Sequence, residues 1–125
     1  MWVFTQRGFV SVVNHDRADE KLTIRARDIE SLQDLSEMSG EPIETTPYRD
    51  YEHRVFVDSE IYADWLMYHV ESLDYNNFKN RVGDTLGPQW YHACANVWEA
   101  MLDVSDTHKV RDLPAMTEPE ESLYL

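Results

Sequence analysis

Residues Lys21 to Arg27 alternate strictly, with Leu22, Ile24 and Ala26 at one parity and Thr23, Arg25 and Arg27 at the other. A period of two puts the apolar residues on one side of a strand and the polar ones on the other, so this segment needs a sheet with one covered and one wet face. Two further segments supply neighbours. Met1 to Gln6 and Phe9 to Asn14 are rich in β-branched and aromatic residues, and Arg7-Gly8 between them predicts an N-terminal hairpin. Residues 41 to 50, with Pro42 and Pro47, read as a loop before a last strand, Glu52 to Val57, in which His53, Val55 and Val57 share a face.

The other periodicity is helical. Asp28 is a candidate N-cap for a helix over Ile29 to Ser39, with Ile29, Leu32 and Leu35 as its apolar stripe, Gly40 as terminator and Pro42 beyond. Asp58 or Ser59 starts a second helix whose residues Ile61, Tyr62, Trp65, Leu66, His69, Val70 and Leu73 make a wide stripe. A short helix over Tyr75 to Val82 follows, capped by Asp74 and stopped by Gly83. Gly87-Pro88 then opens a final helix carrying Trp90, Ala93, Cys94, Val97, Trp98, Met101 and Leu102. The predicted class is α+β: a small, mainly antiparallel sheet with an N-terminal hairpin, covered by two to three amphipathic helices, chiefly those at 59–73 and 88–104. Trp65 and Trp98 are expected in the core.

Length predicts one domain over 1–104, large enough for a core without metal or disulfide. Residues 105–125, with Pro114, Pro119 and Glu118, Glu120 and Glu121, read as an acidic mobile tail. The fifteen aromatics, read as four Trp, seven Tyr and four Phe, place the chain far from the composition of disorder.

Charge bears on partners. The net charge is −13; up to Val57 there are seven Lys/Arg against eleven Asp/Glu, and beyond it four against thirteen. Direct nucleic-acid binding is not expected, because it depends on cations that neutralise phosphates. No stretch approaches the roughly 18 apolar residues of a membrane span. The lone Cys94 and the lack of a signal-peptide pattern predict a cytoplasmic setting.

Met1-Trp2-Val3-Phe4-Thr5 with Gly8-Phe9 and Ser11-Val12-Val13, Ile24-Arg25-Ala26-Arg27, Tyr51 with Arg54-Val55-Phe56-Val57, Asp74-Tyr75-Asn76-Asn77-Phe78-Lys79, and Tyr91-His92 with Val97-Trp98 together resemble a family of small uncharacterised bacterial and actinobacteriophage proteins. The resemblance runs from residue 1 to about residue 102. It implies a small intracellular bacterial or phage protein, in the host cytoplasm if phage-encoded, and it brings no activity and no site residues with it.

Three constellations are candidates for function. Arg25, Arg27 and Arg54 can share the wet sheet face, where clustered guanidinium groups suit a carboxylate or phosphate; the alternative is neutralisation by carboxylates of the same chain. Glu30, Asp34 and Glu37 recur at helical spacing on the predicted solvent face, a row that could imitate a nucleic-acid backbone or simply be solvated. Asp74, Tyr75, Asn77 and Lys79 lie at a helix junction that could hold a ligand or serve for capping and packing. No catalytic motif, metal-ligand spacing or cofactor fingerprint stands out, and Cys94 reads as a buried structural thiol. The expected function is non-enzymatic: binding and modulation of another protein, with a nucleic-acid mimic or a small-molecule or anion binder as alternatives.

Overall fold

In the hairpin, β1 (Trp2–Thr5) and β2 (Gly8–Asn14) pair antiparallel around Gln6 and Arg7, with Thr5 opposite Gly8. The computed structural model describes residues 1–15 and 21–108. Gly8 is required twice over at this turn. Its φ of 146° lies where L side chains are strained, and a Cβ there would run into the Ser31 side chain. That serine belongs to α1 (Glu30–Ser39); its Oγ accepts from Phe9 N at 3.1 Å and donates to Asp28 Oδ1 at 2.7 Å. Asp28 therefore anchors the helix start through Ser31. It does not act as the predicted N-cap, because helix geometry puts Ile29 at that position.

The alternating segment forms β3 (Lys21–Ala26), which pairs with β2 on one side and with β5 (His53–Asp58) on the other. The predicted loop contains one more short strand, β4 (Glu44–Thr45), on the outer side of β5. All pairs are antiparallel and the sheet order is β1-β2-β3-β5-β4. Two residues cannot display a period, which is why β4 is invisible in the sequence.

One sheet face is closed by α1 and by α2 (Ser59–Glu71). Val10, Val12, Ile24, Ala26, Val55 and Val57 from the sheet meet Leu32 and Leu35 from α1 and Tyr62 and Trp65 from α2. Each large apolar side chain buried there contributes about 1.5–3 kcal/mol. Burial pushes the Tyr62 hydroxyl up to about 12.

Beyond α2 the chain forms α3 (Phe78–Leu86) and α4 (Pro88–His108). Packing groups the described residues into two units, one up to Asp74 and one that begins at Tyr75. Core closure of the sheet comes from α1 with α2, while α3 and α4 pack on each other.

In the second unit Gly83 does not stop a helix. It lies inside α3, where its hydrogen in place of a side chain lets Tyr91 of α4 approach: a Cβ would sit 3.2 Å from that of Tyr91. Gly87, with φ 103°, ends α3. Val82 and Cys94 are buried, and burial raises the Cys94 thiol. Trp98 is not a core residue: it is 41% exposed, with Lys79 Nζ 5.1 Å from its ring centroid. Helix α4 continues four residues past the predicted end at Val104, to His108. The predicted mobile tail lies, from residue 109 on, outside the described residues. No helix among the described residues is long and apolar enough to cross a membrane.

Candidate anion-binding site

The sheet face opposite α1 and α2 carries the arginines. Register places Trp2 opposite Ser11, Ser11 opposite Arg25, Arg25 opposite Arg54 and Arg54 opposite Glu44, so one row crosses all five strands. Like charges in directly opposed positions destabilise a strand pair. Arg25 and Arg54 hold such positions, and no carboxylate among the described residues lies within ion-pair distance of either. Glu44 shares the row without bonding to Arg54.

Neutral groups fix both guanidiniums instead. Arg25 Nη2 donates to Ser11 Oγ at 2.6 Å, and its Cζ stands 4.7 Å from the Tyr51 ring centroid. Arg54 Nη1 donates to Thr46 Oγ1 at 3.0 Å and Nη2 to the Tyr51 carbonyl at 2.9 Å. Tyr51 is buried at the centre of this set. Arg25 Nε is enclosed with no acceptor, the one buried side-chain nitrogen or oxygen among the described residues so placed. A planar fork held by neutral partners keeps its full charge and a defined orientation, which suits recognition of a carboxylate or phosphate.

Arg27 behaves differently. It lies just past the end of β3 and its Nε and Nη2 both donate to Asp50 Oδ1, at 3.1 and 2.9 Å, while its Cζ stands 4.5 Å from the Tyr51 centroid. The hydrogen bond to Asp50 raises the Arg27 pKa further above its ordinary value. Of the three predicted arginines, Arg25 and Arg54 thus stand opposite each other without an ion-pair partner among the described residues, and Arg27 is paired with Asp50.

Above the row opens a cavity of about 670 Å³ lined by Val13, His15, Thr23, Arg25, Arg49, Asp50, Tyr51, Arg54 and Phe56. Its volume suits a small ligand. Arg49 and Asp50 come from the loop before β5, whose residue Tyr48 has φ 68° and a fully exposed side chain. Tyr51, Arg49 and Phe56 join the predicted arginines in lining the site, and Ser11 supports it through Arg25. For Phe56 a signal exists: it shares the strand parity of Arg54.

The acidic row does not form as a continuous outer face. Glu30 and Glu37 are exposed, but Asp34 turns toward α2, where Oδ1 accepts from Trp65 Nε1 at 3.0 Å and Oδ2 lies 3.0 Å from His69 Nε2. Burial alone would raise the Asp34 pKa; these hydrogen bonds hold it below the ordinary carboxylate value. The arrangement is a clamp between two helices.

At the junction, Asp74 ends the first unit and Tyr75 begins the second. Asn77, not Asp74, caps α3, its Oδ1 accepting from Asn80 N at 3.0 Å. Tyr75 packs on Phe78, with Arg81 over its ring, and Lys79 reaches Trp98. Asn77 thus serves capping, while Tyr75 and Lys79 pack on aromatic rings. Among the described residues no group of three or more His, Cys, Asp or Glu is placed to hold a metal ion. Comparison of the chain with protein-family models, with curated proteins and with solved structures gives no match.

Proposed function

We propose that this chain is a non-catalytic binding protein whose Arg25 and Arg54 hold the anionic group of a ligand. The observation that carries this reading is the direct opposition of two arginines that have no ion-pair partner among the described residues. A bound carboxylate or phosphate would replace mutual repulsion with two charge-assisted, planar contacts. The cavity offers no activated nucleophile, and its carboxylate Asp50 is engaged by Arg27.

Thermal melting of the full chain tests the reading, with phosphate and chloride compared at equal ionic strength. Phosphate at 100 times its dissociation constant adds about 2.7 kcal/mol to a protein that binds it only when folded. The parent chain gains this stabilisation, and R25Q and R54Q lose it. Equal gains in parent and variants would reduce the effect to general salt exclusion and refute the reading.

A protein partner at the same face is a second reading, supported by Trp2, which is 71% exposed beside Phe4 and Phe9. Exposed aromatic clusters next to arginines have the composition of interface anchors. An acidic segment of the partner would then supply the anion, and the partner would be the molecule this chain modulates. Loss of the complex on W2A, with anion binding retained, is its expected signature; a complex that survives W2A contradicts it.

A further inference from the structure

Resting on the anion-binding reading, we infer that the ligand is a small aromatic anion, one planar ring joined to a carboxylate or phosphate by a short spacer. The cavity has two parallel rows. Arg25 and Arg54 form the cationic row; two residues along each strand from the Ser11–Arg25–Arg54 register, Val13, Thr23 and Phe56 face one another as the second. Residues two apart on a strand are separated by about 6.6 Å. An anion seated between the guanidiniums therefore places the ligand's body, about one ring away, on Val13 and Phe56.

Those two side chains leave apolar surface for it: Val13 is 40% exposed and Phe56 is half-buried. His15 meets Phe56 edge-on, with centroids 4.8 Å apart and planes at 64°, so His15 walls one side of the Phe56 ring. A planar ring packs well in offset or edge-on contact with such aromatic side chains. Charge sets the upper size. A net charge of −13 repels a polyanion over many contacts, whereas a molecule with one or two negative charges meets mainly the local pair of arginines.

The test is a titration of isotope-labelled full chain, followed by amide shifts, with 3-phenylpropionate, propionate, inorganic phosphate and a twelve-residue oligothymidylate. The expected result is that 3-phenylpropionate binds about tenfold tighter than propionate. F56T and V13T reduce that advantage to about threefold or less, and R54Q weakens the binding of both. Equal affinity for 3-phenylpropionate and propionate, both lost in R54Q, overturns the aromatic assignment and leaves the anion site standing. No saturable shift with any of the small anions overturns both. Oligothymidylate binding tighter than 3-phenylpropionate overturns the size argument and makes the face a platform for single strands.

Discussion

Trp65 Nε1 donates to Asp34 Oδ1 across 3.0 Å, joining the most deeply buried indole of the first unit to a carboxylate on the neighbouring helix. His69, one turn further along α2, holds the other oxygen. D34A leaves a buried indole N–H unsatisfied, and a loss of about 2 kcal/mol is expected in urea unfolding. The pH dependence has a definite sign. Because the folded-state pKa of Asp34 is lowered from 3.8, its contribution is complete above pH about 4 and disappears as the pH falls through the folded-state value. The stability gap between parent and D34A is therefore expected to shrink as the pH falls below about 4. A gap that grows in acid would contradict the clamp.

The two tryptophans on the helical stripes are expected to separate. W65A removes a side chain that is 1% exposed and costs about 3–5 kcal/mol. W98A removes one that is 41% exposed and costs less, about 1–3 kcal/mol, since a large part of its surface stays in water on folding. Equal losses in denaturant unfolding would mean that Trp98 is covered.

Gly8 admits no side chain. Its positive φ and the Ser31 hydroxyl beside it predict that G8A costs about 3 kcal/mol or more, from backbone strain and displacement of the Ser31 bridge together. Protection of the Phe9 amide from hydrogen exchange is expected to fall in the same variant. Unchanged protection would show that the Phe9–Ser31 bond does not depend on this glycine.

Tyr48 carries the opposite expectation. It is the one non-glycine residue with positive φ among those described, and its side chain is fully exposed. Asn tolerates this conformation better, so Y48N is expected to raise stability by about 0.5–1 kcal/mol. A loss of stability would mean that the tyrosine ring makes contacts of its own.

How far these features can be read from the residues depends on which physical signal each one leaves. The sheet is legible because Leu22, Ile24 and Ala26 alternate with Thr23 and Arg25, and the same alternation places Arg25 and Arg54 on one face. The register that sets them directly opposite is a tertiary fact. Asp34 misleads because α1 meets both the sheet and α2, so its buried arc is wider than the Leu32–Leu35 stripe suggests. Gly83 misleads because a glycine that ends a helix and one that lets a second helix approach are the same letter. Tyr51 leaves almost no trace: it precedes the strand, and only the folded loop brings it under Arg25 and Arg27.

The opposition of Arg25 and Arg54 is tested most directly by following arginine side-chain Nε–Hε resonances of the full chain while phosphate is added at constant ionic strength. The predicted result is that the Arg25 and Arg54 signals move along one saturating curve with a shared dissociation constant, while Arg27, held by Asp50, and Arg7, distant on the hairpin turn, stay in place. Arginine signals that all drift together without saturation, or Arg25 and Arg54 signals that do not move, would contradict an anion site between these two strands.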